Sequence, residues 1–519
     1  MECFVLRGVP NARRLSRGAR RQTLGVSVRA SLHALGRILE IVSLALAGPA
    51  LVAAIYLETP LPFLIPLAIG LAIGFVLDRS NRGKGRLGTR EVFLVATLAW
   101  VAAAILGSVP YLLLDKNGLG HWANAFTESM AGLTTSNISV VADPSKLPRS
   151  LLFWRQFSQW LGGLGVIVLV LALLPRLRVG GRELMAPEQP GREVERLSQG
   201  VQAVIRRFGA LYIVLTAAAA LTLIGLDIFD VDDRLNVFDS IGIAFSTVST
   251  GGFSPRAGSI AAYSTATQWV VLGFMVLAGA NILLVFRALV RRELRPLLRD
   301  GETRLYLAIG VLGAIGVAGA LAAGDTASGW VSVRDGLFQS FSFLTTTGFT
   351  NANIAAWPLA APAILVGLVL IGGCASSLAG SQKIMRAQII GKLLHRELVQ
   401  AVHPETIRHI RRNRRLIDER AVRGVSAFVL IFFGLLALGT LALELDAARM
   451  NFHLDSFSAI ADAAAALANG GPGLGFAGPL GSFAPFSDVS KLVLSALMLL
   501  GRLEIIPVAV LFTKSYWRA

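Results

Sequence analysis

The stretch "SFLTTTGFTNANIAAWP", residues 342–358, places three consecutive threonines and a glycine between two long apolar segments. The chain around it has 519 residues, of which 54% are hydrophobic and 16% are charged, and its mean hydropathy is +0.63. Because soluble globular chains have about 25% charged residues, this composition predicts an integral membrane protein. A polar "TTTG" therefore stands where the hydrocarbon core of a bilayer is expected.

Ten apolar segments approach the length that a helix needs to cross a membrane, which is roughly 20 residues for a hydrocarbon core about 30 Å thick. They are residues 38–56, 60–77, 92–114, 151–174, 203–226, 267–290, 306–323, 358–380, 425–445 and 490–512. The sequence thus predicts an all-α, multi-pass membrane protein with about ten transmembrane helices.

Basic residues follow a topological pattern along the chain, whose formal net charge is +17. They concentrate in the alternate loops 79–90, 176–207, 287–304 and 383–423, whereas the intervening loops are short or acidic. Since cytoplasmic loops of membrane proteins carry an excess of lysine and arginine, the pattern places these loops and both termini in the cytoplasm. It explains the charge better than nucleic-acid binding does. The Arg-rich residues 1–35 lack the apolar core of a signal peptide and are expected to form a cytoplasmic tail near anionic lipid.

Side chains that form disulfides or bind metals are scarce. The two cysteines, Cys3 and Cys374, imply no disulfide framework, and the six histidines lack the spacing of a metal site. One acidic loop, "LDIFDVDDRLN" at residues 226–236, has two interpretations. Its aspartates either form a negative vestibule that concentrates cations or belong to an ordinary solvated loop. They are Asp227, Asp230, Asp232 and Asp233.

A weak repeat occurs four times along the chain. In each copy a span is followed by an apolar segment of roughly a dozen residues, then by a small polar cluster, then by another span. The clusters are "LTTSN" (133–137), "TVSTGGF" (247–253), "LTTTGF" (344–349) and "LANGGPG" (467–473). Aligning Asn137, Gly251, Gly348 and Gly471 places a leucine or a threonine four residues earlier in every copy.

The short apolar segments suggest a pore. Segments of about 10–14 residues cannot span a bilayer and are typical of buried or re-entrant helices, and irregular backbone at membrane depth persists where it lines a cavity or is buried in protein. Four polar strips around one axis would form a ring of carbonyls that can replace the hydration shell of an alkali cation. Glycine allows the left-handed backbone that aims successive carbonyls in one direction. The alternative for any single cluster is a polar turn without function.

Six stretches carry a resemblance to a known family. They are "FWRQFSQWLGGLGVIVLVLALLP" (153–175), "AFSTVSTGGFSP" (244–255), "LTTTGFTNANIAAWP" (344–358), "IGGCASSLAGSQKIMR" (371–386), "NGGPGLG" (469–475) and "GRLEI" (501–505). Jointly they resemble the Trk/Ktr/HKT superfamily of K⁺ transporters, above all its bacterial Trk type. The resemblance implies an N-terminal two-helix hairpin and four M1–P-loop–M2 repeats, with four re-entrant pore helices around one pore. It divides the chain into the tail at 1–35, the hairpin at 36–80, repeats at 91–175, 200–292, 303–396 and 421–519, and a basic cytoplasmic loop at 397–420.

The same resemblance implies a K⁺ selectivity filter in the four polar strips. Its residues are Thr134, Thr135, Ser136, Asn137, Val248, Ser249, Thr250, Gly251, Thr345, Thr346, Thr347, Gly348, Ala468, Asn469, Gly470 and Gly471. Asn137 departs from the family, which usually has glycine there, and in plant relatives a serine at this place goes with Na⁺ transport. Because asparagine tolerates left-handed backbone better than most residues, the first strip is expected to keep its path. K⁺ is the expected cargo, with Na⁺ as the alternative.

A run of small residues interrupts the span at 358–380 and predicts a gate. The resemblance places a mobile intramembrane loop there, beneath the filter. The implied gate residues are Gly372, Gly373, Ala375, Ser376, Ser377, Ala379, Gly380, Lys383 and Arg502. Close helix packing through small residues is the alternative explanation of the run.

Several charged residues near the membrane carry expectations of their own. Arg502 lies within an apolar span, where charged groups face the bundle interior and mark ion pathways. The resemblance gives it the role of holding the gate loop, and the alternative is an ion pair with Glu504. Lys383 and Arg386 either tie the gate to a cytoplasmic partner or simply belong to the positive-inside pattern. Arg155 is expected to pack against the first hairpin.

Partners follow from the resemblance. It implies a homodimer, embedded in membrane lipid, that docks a cytoplasmic nucleotide-binding ring of the TrkA type. The chain has no "GxGxxG" after a strand and no "GxxxxGK[ST]", so nucleotide would act only through that separate subunit, with residues 383–423 as its landing surface. No covalently bound cofactor is expected.

The expected function is K⁺ uptake across the bacterial inner membrane. A Na⁺-permeable or Na⁺/H⁺-coupled cation transporter of the same fold is the alternative. All four repeats run in one direction, which favours a pore over the inverted repeats of many secondary transporters. The sequence shows no nucleophile–base set, so an enzyme is not expected.

Overall fold

The computed structural model describes residues 26–81, 88–116, 118–177, 193–327, 329–406, 408–412, 415–478 and 481–518. Regular structure in these ranges is helical apart from one antiparallel hairpin of two short strands, β1 (Arg411–Arg412) and β2 (Arg415–Leu416). The helices are α1 (Val28–Ala45), α2 (Ala47–Ile55), α3 (Leu61–Ser80), α4 (Thr89–Leu114), α5 (Trp122–Leu133), α6 (Arg149–Leu177), α7 (Glu193–Ile228), α8 (Val237–Val248), α9 (Thr265–Gly279), α10 (Ile282–Val290), α11 (Leu294–Arg299), α12 (Gly301–Ala323), α13 (Gly329–Leu344), α14 (Ala360–Ile371), α15 (Ile384–Val402), α16 (Glu419–Arg449), α17 (Ser456–Ala468), α18 (Asp488–Arg502), α19 (Ile506–Ala509) and α20 (Lys514–Trp517).

The spans include both continuous and broken helices. Within the described ranges, six helices are long and apolar enough to cross a membrane, and two bent pairs raise that number to eight. The pairs are α9 with α10, bent by 116°, and α18 with the segment that begins at α19, bent by 111°. These spans confirm the predicted all-α, multi-pass membrane fold.

Four short helices lie between the spans. They are α5, α8, α13 and α17, which have 12, 12, 16 and 13 residues. Two of them begin at side-chain caps, because Asn236 accepts the N–H of Asp239 and Asp455 accepts the N–H of Ser458. At about 1.5 Å per residue these helices cover roughly 18–24 Å, less than the hydrocarbon core. They are the four re-entrant helices that the repeat predicts.

Helices α1 to α3 form the predicted N-terminal hairpin. A Cβ atom added to Gly36 would lie 2.6 Å from the carbonyl oxygen of Gly74, so the two helices cross where neither has a side chain. Helix α1 begins at Val28, so the boundary predicted between tail and hairpin at residue 35 is wrong; the helix starts where Ser27 caps it by accepting the N–H of Ala30. Residues 1–25 of the predicted tail lie outside the described residues.

The two described ends of the chain meet at one place. The N–H of Ser27 donates to the Glu91 carboxylate at 2.8 Å, and the Tyr516 hydroxyl donates to the carbonyl of Arg90 at 2.7 Å. Both ends therefore pack at the start of α4 and lie on the same side of the helical bundle.

The core surrounds the short helices, whereas the spans face outward with apolar side chains. In α17, Ala463, Ala464 and Ala466 are completely buried. In the spans, Leu312 and Leu430 are 67% and 74% exposed. Without a membrane such apolar exposure would be unfavourable, so the fold has an apolar outer surface around a tightly packed centre.

Candidate functional site

The short helices end at four polar strips that converge at the centre of the molecule. A Cβ atom added to Gly252 would lie 1.9 Å from the carbonyl oxygen of Thr347, and one added to Gly348 would lie 2.7 Å from the Cα of Gly471. The first strip approaches at the same place, because the Cβ atom added to Gly348 would also lie 2.9 Å from the Cβ atom of Asn137. The backbones of three strips therefore approach so closely that only glycine fits.

The strips share an unusual backbone conformation. Four equivalent residues have φ between 51° and 56°, namely Thr135, Thr250, Thr346 and Asn469. Two residues later, Gly252, Gly348 and Gly471 have φ of 79°, 79° and 88°. Left-handed backbone is strained for β-branched residues such as threonine. Its recurrence in every strip marks it as a feature that the surrounding packing imposes.

The second strip is one residue out of register with the prediction. Gly252, not Gly251, occupies the position of Gly348 and Gly471, and Val248 lies one residue before the strip, at the position of Leu133 and Leu344. The strip is therefore Ser249, Thr250, Gly251 and Gly252. The reason is local ambiguity, because the sequence "TGG" offers two glycines and only the end of α8 decides between them.

Asn137 does not keep the path that was predicted for it. Its φ is not positive, unlike that of the three equivalent glycines. Its side chain instead crosses to another strip, where Nδ2 donates to the carbonyl oxygen of Gly348 at 2.6 Å. The side-chain amide thus occupies a backbone acceptor that a glycine at this position would leave unbound.

Three of the short helices carry a polar side chain that braces the chain beyond the strip. The Glu128 carboxylate accepts the N–H of Val140 at 2.9 Å, and the Asp462 carboxylate accepts the N–H of Leu474 at 3.1 Å. At the same place in α13, Gln339 donates to the Asn351 side chain at 2.8 Å. Each lies nine residues before the equivalent strip position; the pairs are Glu128 and Asn137, Gln339 and Gly348, and Asp462 and Gly471. This constant spacing is visible in the sequence itself.

Gln159 of α6 is a further residue that the sequence reasoning missed. Its Nε2 donates to the carbonyl of Gly251 at 2.7 Å, and its Oε1 accepts the N–H of Phe253 at 3.1 Å. Gln159 is completely buried, so its amide fixes the second strip from behind. No local pattern points to it, because its partners in the second strip lie more than 90 residues away and Ser136 of the first strip, whose carbonyl it also reaches at 3.4 Å, lies 23 residues away.

Arg155 belongs to the centre rather than to the hairpin interface that was predicted for it. Its Nε donates to the Glu128 carboxylate at 2.7 Å, and its Nη2 donates to Ser139 at 3.0 Å. The guanidinium carbon lies 4.3 Å from the centre of the Phe253 ring. The buried ion pair therefore connects the first short helix to the chain beyond the first and second strips.

The predicted gate is a non-helical segment between α14 and α15. Helix α14 ends at Ile371, nine residues earlier than the predicted span, because Gly372 turns the chain with φ of 77°. The N–H of Cys374 donates to the carbonyl of Gly279 at 3.0 Å, and the N–H of Gly380 donates to the Thr346 hydroxyl at 2.8 Å. The segment thus lies between the broken span α9–α10 and the third strip.

Arg502 contacts this gate segment directly. Its Nη1 donates to the carbonyl of Leu378 at 3.3 Å, and its Nη2 donates to the carbonyl of Gly162 in α6 at 3.4 Å. The alternative ion pair with Glu504 is not formed, because the Glu504 carboxylate binds Arg386 at 2.6 Å. Arg502 therefore joins the gate segment to two spans, α6 and α18.

Lys383 makes its polar contacts within the gate segment. It is buried, and its Nζ donates to the carbonyls of Ala375 and Ser377 at 3.2 and 3.5 Å. Its ammonium group thus satisfies carbonyls of the gate segment itself. Arg386, which was paired with it in the prediction, stacks over the Phe428 ring with its guanidinium carbon 3.9 Å from the ring centre.

The acidic loop does not form a vestibule through Asp232. This side chain is buried and accepts the Ser264 N–H at 2.7 Å and the Thr267 hydroxyl at 2.5 Å. Burial alone would raise the pKa of the Asp232 carboxyl, but the hydrogen bonds from Thr267 and Ser264 outweigh it, so the pKa lies below its ordinary value. The cavity outside the strips is lined instead by Asn137, Ser139, Arg155, Gly252, Ser254, Arg256 and other residues.

Comparisons with known proteins agree with this geometry. The sequence profile described as "TrkH: Cation transport protein" matches residues 63–518. The chain belongs to this TrkH family. The TrkH-family relative "Trk system potassium uptake protein TrkH" from Escherichia coli K12 is 35% identical over 94% of this chain and 99% of its own length. TrkG from the same strain is 31% identical over 95% and 99%. The crystal structure of the potassium transporter TrkH from Vibrio parahaemolyticus superposes with a TM-score of 0.82 at 31% identity, covering 95% of this chain and 100% of that one.

Membership of the TrkH family confirms the resemblance that the six sequence stretches carry. It also confirms that the chain is a transporter rather than an enzyme, since the family is one of cation transport proteins. The similarity to a solved TrkH structure over nearly the full length of both chains confirms the fold class.

Proposed function

We propose that this chain conducts K⁺ into bacteria as the membrane subunit of a Trk-type uptake system. One observation carries the proposal: four strips with the same left-handed turn at Thr135, Thr250, Thr346 and Asn469 converge at the ends of four short helices. A ring of carbonyls held in this way can replace the hydration shell of K⁺, and the helix C-termini favour a cation beside them. The relatives that are potassium uptake proteins support K⁺ as the cargo.

The proposed filter keeps the predicted residues with the second strip corrected. It consists of Thr134, Thr135, Ser136, Asn137, Ser249, Thr250, Gly251, Gly252, Thr345, Thr346, Thr347, Gly348, Ala468, Asn469, Gly470 and Gly471. K⁺ passes between these residues as cargo, and no covalently bound cofactor takes part.

The proposed gate is the segment 372–383, held by Arg502. Its position next to Thr346 and its bond from Arg502 to Leu378 support this role. Opening requires the segment to leave the strips, and the non-helical backbone between α14 and α15 provides the freedom to do so. The remaining gate residues are those that the sequence predicted: Gly372, Gly373, Ala375, Ser376, Ser377, Ala379, Gly380 and Lys383.

The proposed assembly is a homodimer in the bacterial inner membrane, with both termini in the cytoplasm. A cytoplasmic TrkA-type ring binds nucleotide and acts on the gate through α15 and the basic loop that follows it. The two described ends of the chain meet beside Arg90 and Glu91, which supports placing both termini on the same side of the membrane. We retain the division into hairpin, four repeats and basic loop as part of this proposal.

A Na⁺-permeable transporter of the same fold is the second candidate. The observation that favours it is the Asn137 side chain, whose amide binds the Gly348 carbonyl. A carbonyl that already accepts a hydrogen bond is a weaker ligand for a cation. Asn137 of the first strip therefore reduces the number of strong oxygen ligands available to K⁺.

Ion flux into proteoliposomes tests both candidates. Wild-type protein and Asn137→Gly are compared for K⁺ and for Na⁺ entry, with Asn353→Gly in an exposed loop as the matched control. We expect the wild type to prefer K⁺ and the Asn137→Gly variant to keep or sharpen that preference. Free passage of Na⁺ through the wild type, with K⁺ preference appearing only in the variant, would assign the second candidate instead.

A further inference from the structure

The gate segment and the third strip share one hydrogen bond. The N–H of Gly380 donates to the Oγ1 of Thr346 at 2.8 Å, and both residues are buried. Gly380 also lies tightly against the fourth strip, because an added Cβ atom would lie 2.0 Å from the carbonyl oxygen of Ala468. The segment is thus seated on two strips at the level of Thr346.

Thr346 has equivalents in the other three strips, and their side chains differ in what they bind. The Thr135 hydroxyl is buried and has no hydrogen-bond partner among the described residues. The Thr250 hydroxyl donates to the carbonyl of Ser249 at 2.7 Å, and the Asn469 amide turns away to donate to the carbonyl of Met498 at 2.8 Å. At this level the hydroxyl of the third strip is the one that binds the gate segment.

A hydroxyl oxygen has two acceptor lone pairs. The N–H of Gly380 uses one of them, and a cation that enters this level needs the same oxygen as a ligand. Alkali cations are bound in filters by rings of oxygens, so a ring that loses one oxygen to the gate segment binds the cation less well. By linkage, the cation must then weaken the binding of the segment by the same factor.

We propose that the Thr346 hydroxyl is a latch that the gate segment and the permeating cation share. It accepts the Gly380 N–H while the segment lies against the strips, and it becomes a ligand of the cation when the segment leaves. Gate closure and cation occupancy at this level therefore weaken each other, and arriving K⁺ promotes opening. This inference rests on the proposed function as a cation pore, and it adds the residue through which cargo and gate communicate.

Two matched variants separate the latch from a general role in the filter. Thr346→Val removes the hydroxyl but keeps a β-branched side chain, so the left-handed backbone at φ of 56° is equally strained. Thr135→Val removes the equivalent hydroxyl from the first strip, at φ of 55°, where that hydroxyl makes no hydrogen bond to the described part of the gate segment. Thr346→Ser keeps the hydroxyl and serves as the conservative variant.

The first measurement is basal K⁺ flux into proteoliposomes. A typical hydrogen bond shifts an equilibrium by roughly 2- to 12-fold, so we expect Thr346→Val to raise basal flux by such a factor. Neither Thr346→Ser, which keeps the hydroxyl, nor Thr135→Val should raise the basal flux, although both residues belong to the filter and either change can lower it. An equal rise in Thr346→Val and Thr135→Val would overturn the latch, because it would trace the effect to the filter itself.

The second measurement follows the gate segment without relying on flux. Hydrogen–deuterium exchange of residues 372–383 is compared for protein in lipid nanodiscs with K⁺ or with N-methylglucamine, a cation too large for the strips. We expect K⁺ to speed exchange of this segment in the wild type and in Thr135→Val, but not in Thr346→Val, where the segment is already released. Identical exchange in both buffers for the wild type would overturn the competition.

Gly380→Ala disturbs the contact between Gly380 and Thr346 through the gate segment rather than through the strip. Its added Cβ would lie 2.0 Å from the Ala468 carbonyl oxygen and must displace the segment. We expect raised basal flux that does not add to the effect of Thr346→Val, while Gly367→Ala in α14, which has open space around it, stays at the wild-type level. Additive effects would contradict a shared contact.

The two levels of failure are distinguishable. If wild-type liposomes pass no cation, the proposed function fails, and segment exchange in Thr346→Val still reports whether the Gly380 bond holds the segment. If the wild type conducts K⁺ but all variants match it in flux and exchange, the latch alone fails. Should Thr346→Val not fold, Gly380→Ala and the K⁺ dependence of wild-type exchange decide the question.

Discussion

At the scale of single residues, the strips depend on glycines, because the lack of a side chain lets the backbones of neighbouring strips touch. Gly252 and Gly348 adopt left-handed φ and also touch neighbouring strips at distances that exclude a Cβ atom. The threonines at 135, 250 and 346 adopt the same φ region at a cost of about 1–3 kcal/mol each. Such strain persists because buried partners such as Gln159 and Glu128 hold the chain on both sides of the strip.

Gly348→Ser tests this requirement directly. An added Cβ would lie 2.7 Å from the Cα of Gly471 at a φ of 79°, so we expect the strips to separate and K⁺ transport to fall by at least 10-fold. Growth of an uptake-deficient bacterium on low K⁺ measures the loss. Gly319→Ser in α12, which has nothing within 4 Å, is the control. Undiminished growth with Gly348→Ser would count against the filter assignment.

Arg155→Ala tests the buried ion pair behind the first strip. Both Arg155 and Glu128 are almost completely buried, at 2% and 0% exposure. Removing one partner of a buried pair costs about 3–5 kcal/mol, because the other charge stays behind uncompensated. We expect a large drop in the thermal midpoint in detergent. Lys146→Ala, which breaks an exposed pair with Asp143, should change stability by no more than about 1 kcal/mol; equal midpoints for the two variants would refute the role of Arg155.

At the scale of elements, two broken spans, α9–α10 and the one that begins with α18, contact the proposed gate segment. Helix α18 ends at Arg502, and Ile505 then has φ of 59° and ψ of −58° while the N–H of Ile506 donates to the carbonyl of Glu504 at 2.6 Å. This is a γ-turn of the rare, strained form. The break lets neighbouring side chains diverge, so that Arg502 binds the gate segment while Glu504 binds Arg386 at the start of α15.

Arg502→Ala should release the gate segment. Hydrogen bonds from charged donors contribute about 1.5–3 kcal/mol each, so we expect basal K⁺ flux to rise by about 10-fold or more. Proteoliposome flux measures the change, with Arg299→Ala in the exposed helix α11 as the control. Deleting residues 373–380 supplies the ungated reference. A wild-type flux in folded Arg502→Ala would remove Arg502 from the gate.

At the scale of the whole molecule, the order of the helices and their charge decide the orientation. The described ends of the chain pack together at the start of α4. The sequence concentrates lysine and arginine in alternate loops, and such loops mark the cytoplasmic side. The molecule is therefore expected to have one basic cytoplasmic face, which includes α15 and the hairpin β1–β2.

Cysteine labelling of intact cells tests this orientation. With Cys3 and Cys374 replaced by alanine, new cysteines are placed at Asp233 in the loop after α7 and at Glu405 after α15, two exposed positions. A membrane-impermeant maleimide should label Asp233→Cys in intact cells and Glu405→Cys only after permeabilisation. The reverse pattern would invert the proposed topology.

The class of protein and the plan of its repeats follow from local features of the amino-acid sequence. Length and apolar content decide which segments cross a membrane, and these are local properties that survive without knowledge of the partners. Segments too short to span, each followed by a small polar cluster, likewise identified the four re-entrant helices. The run of small residues after Ile371 predicted where a span breaks. Glycine is unfavourable within a helix whatever its tertiary neighbours are.

The register of the second strip and the binding partners of Arg502, by contrast, depend on the folded chain. In the second strip the position of Gly348 is taken by Gly252 and not by the predicted Gly251. The end of α8 and the close approach of Thr347 select between these two adjacent glycines. Arg502 meets Leu378 and Gly162, which lie 124 and 340 residues away along the chain, rather than the nearby Glu504. Contacts across such distances depend on how four repeats close around one centre. Local pattern carries no information about that closure, and the geometry of the assembled helices alone settles it.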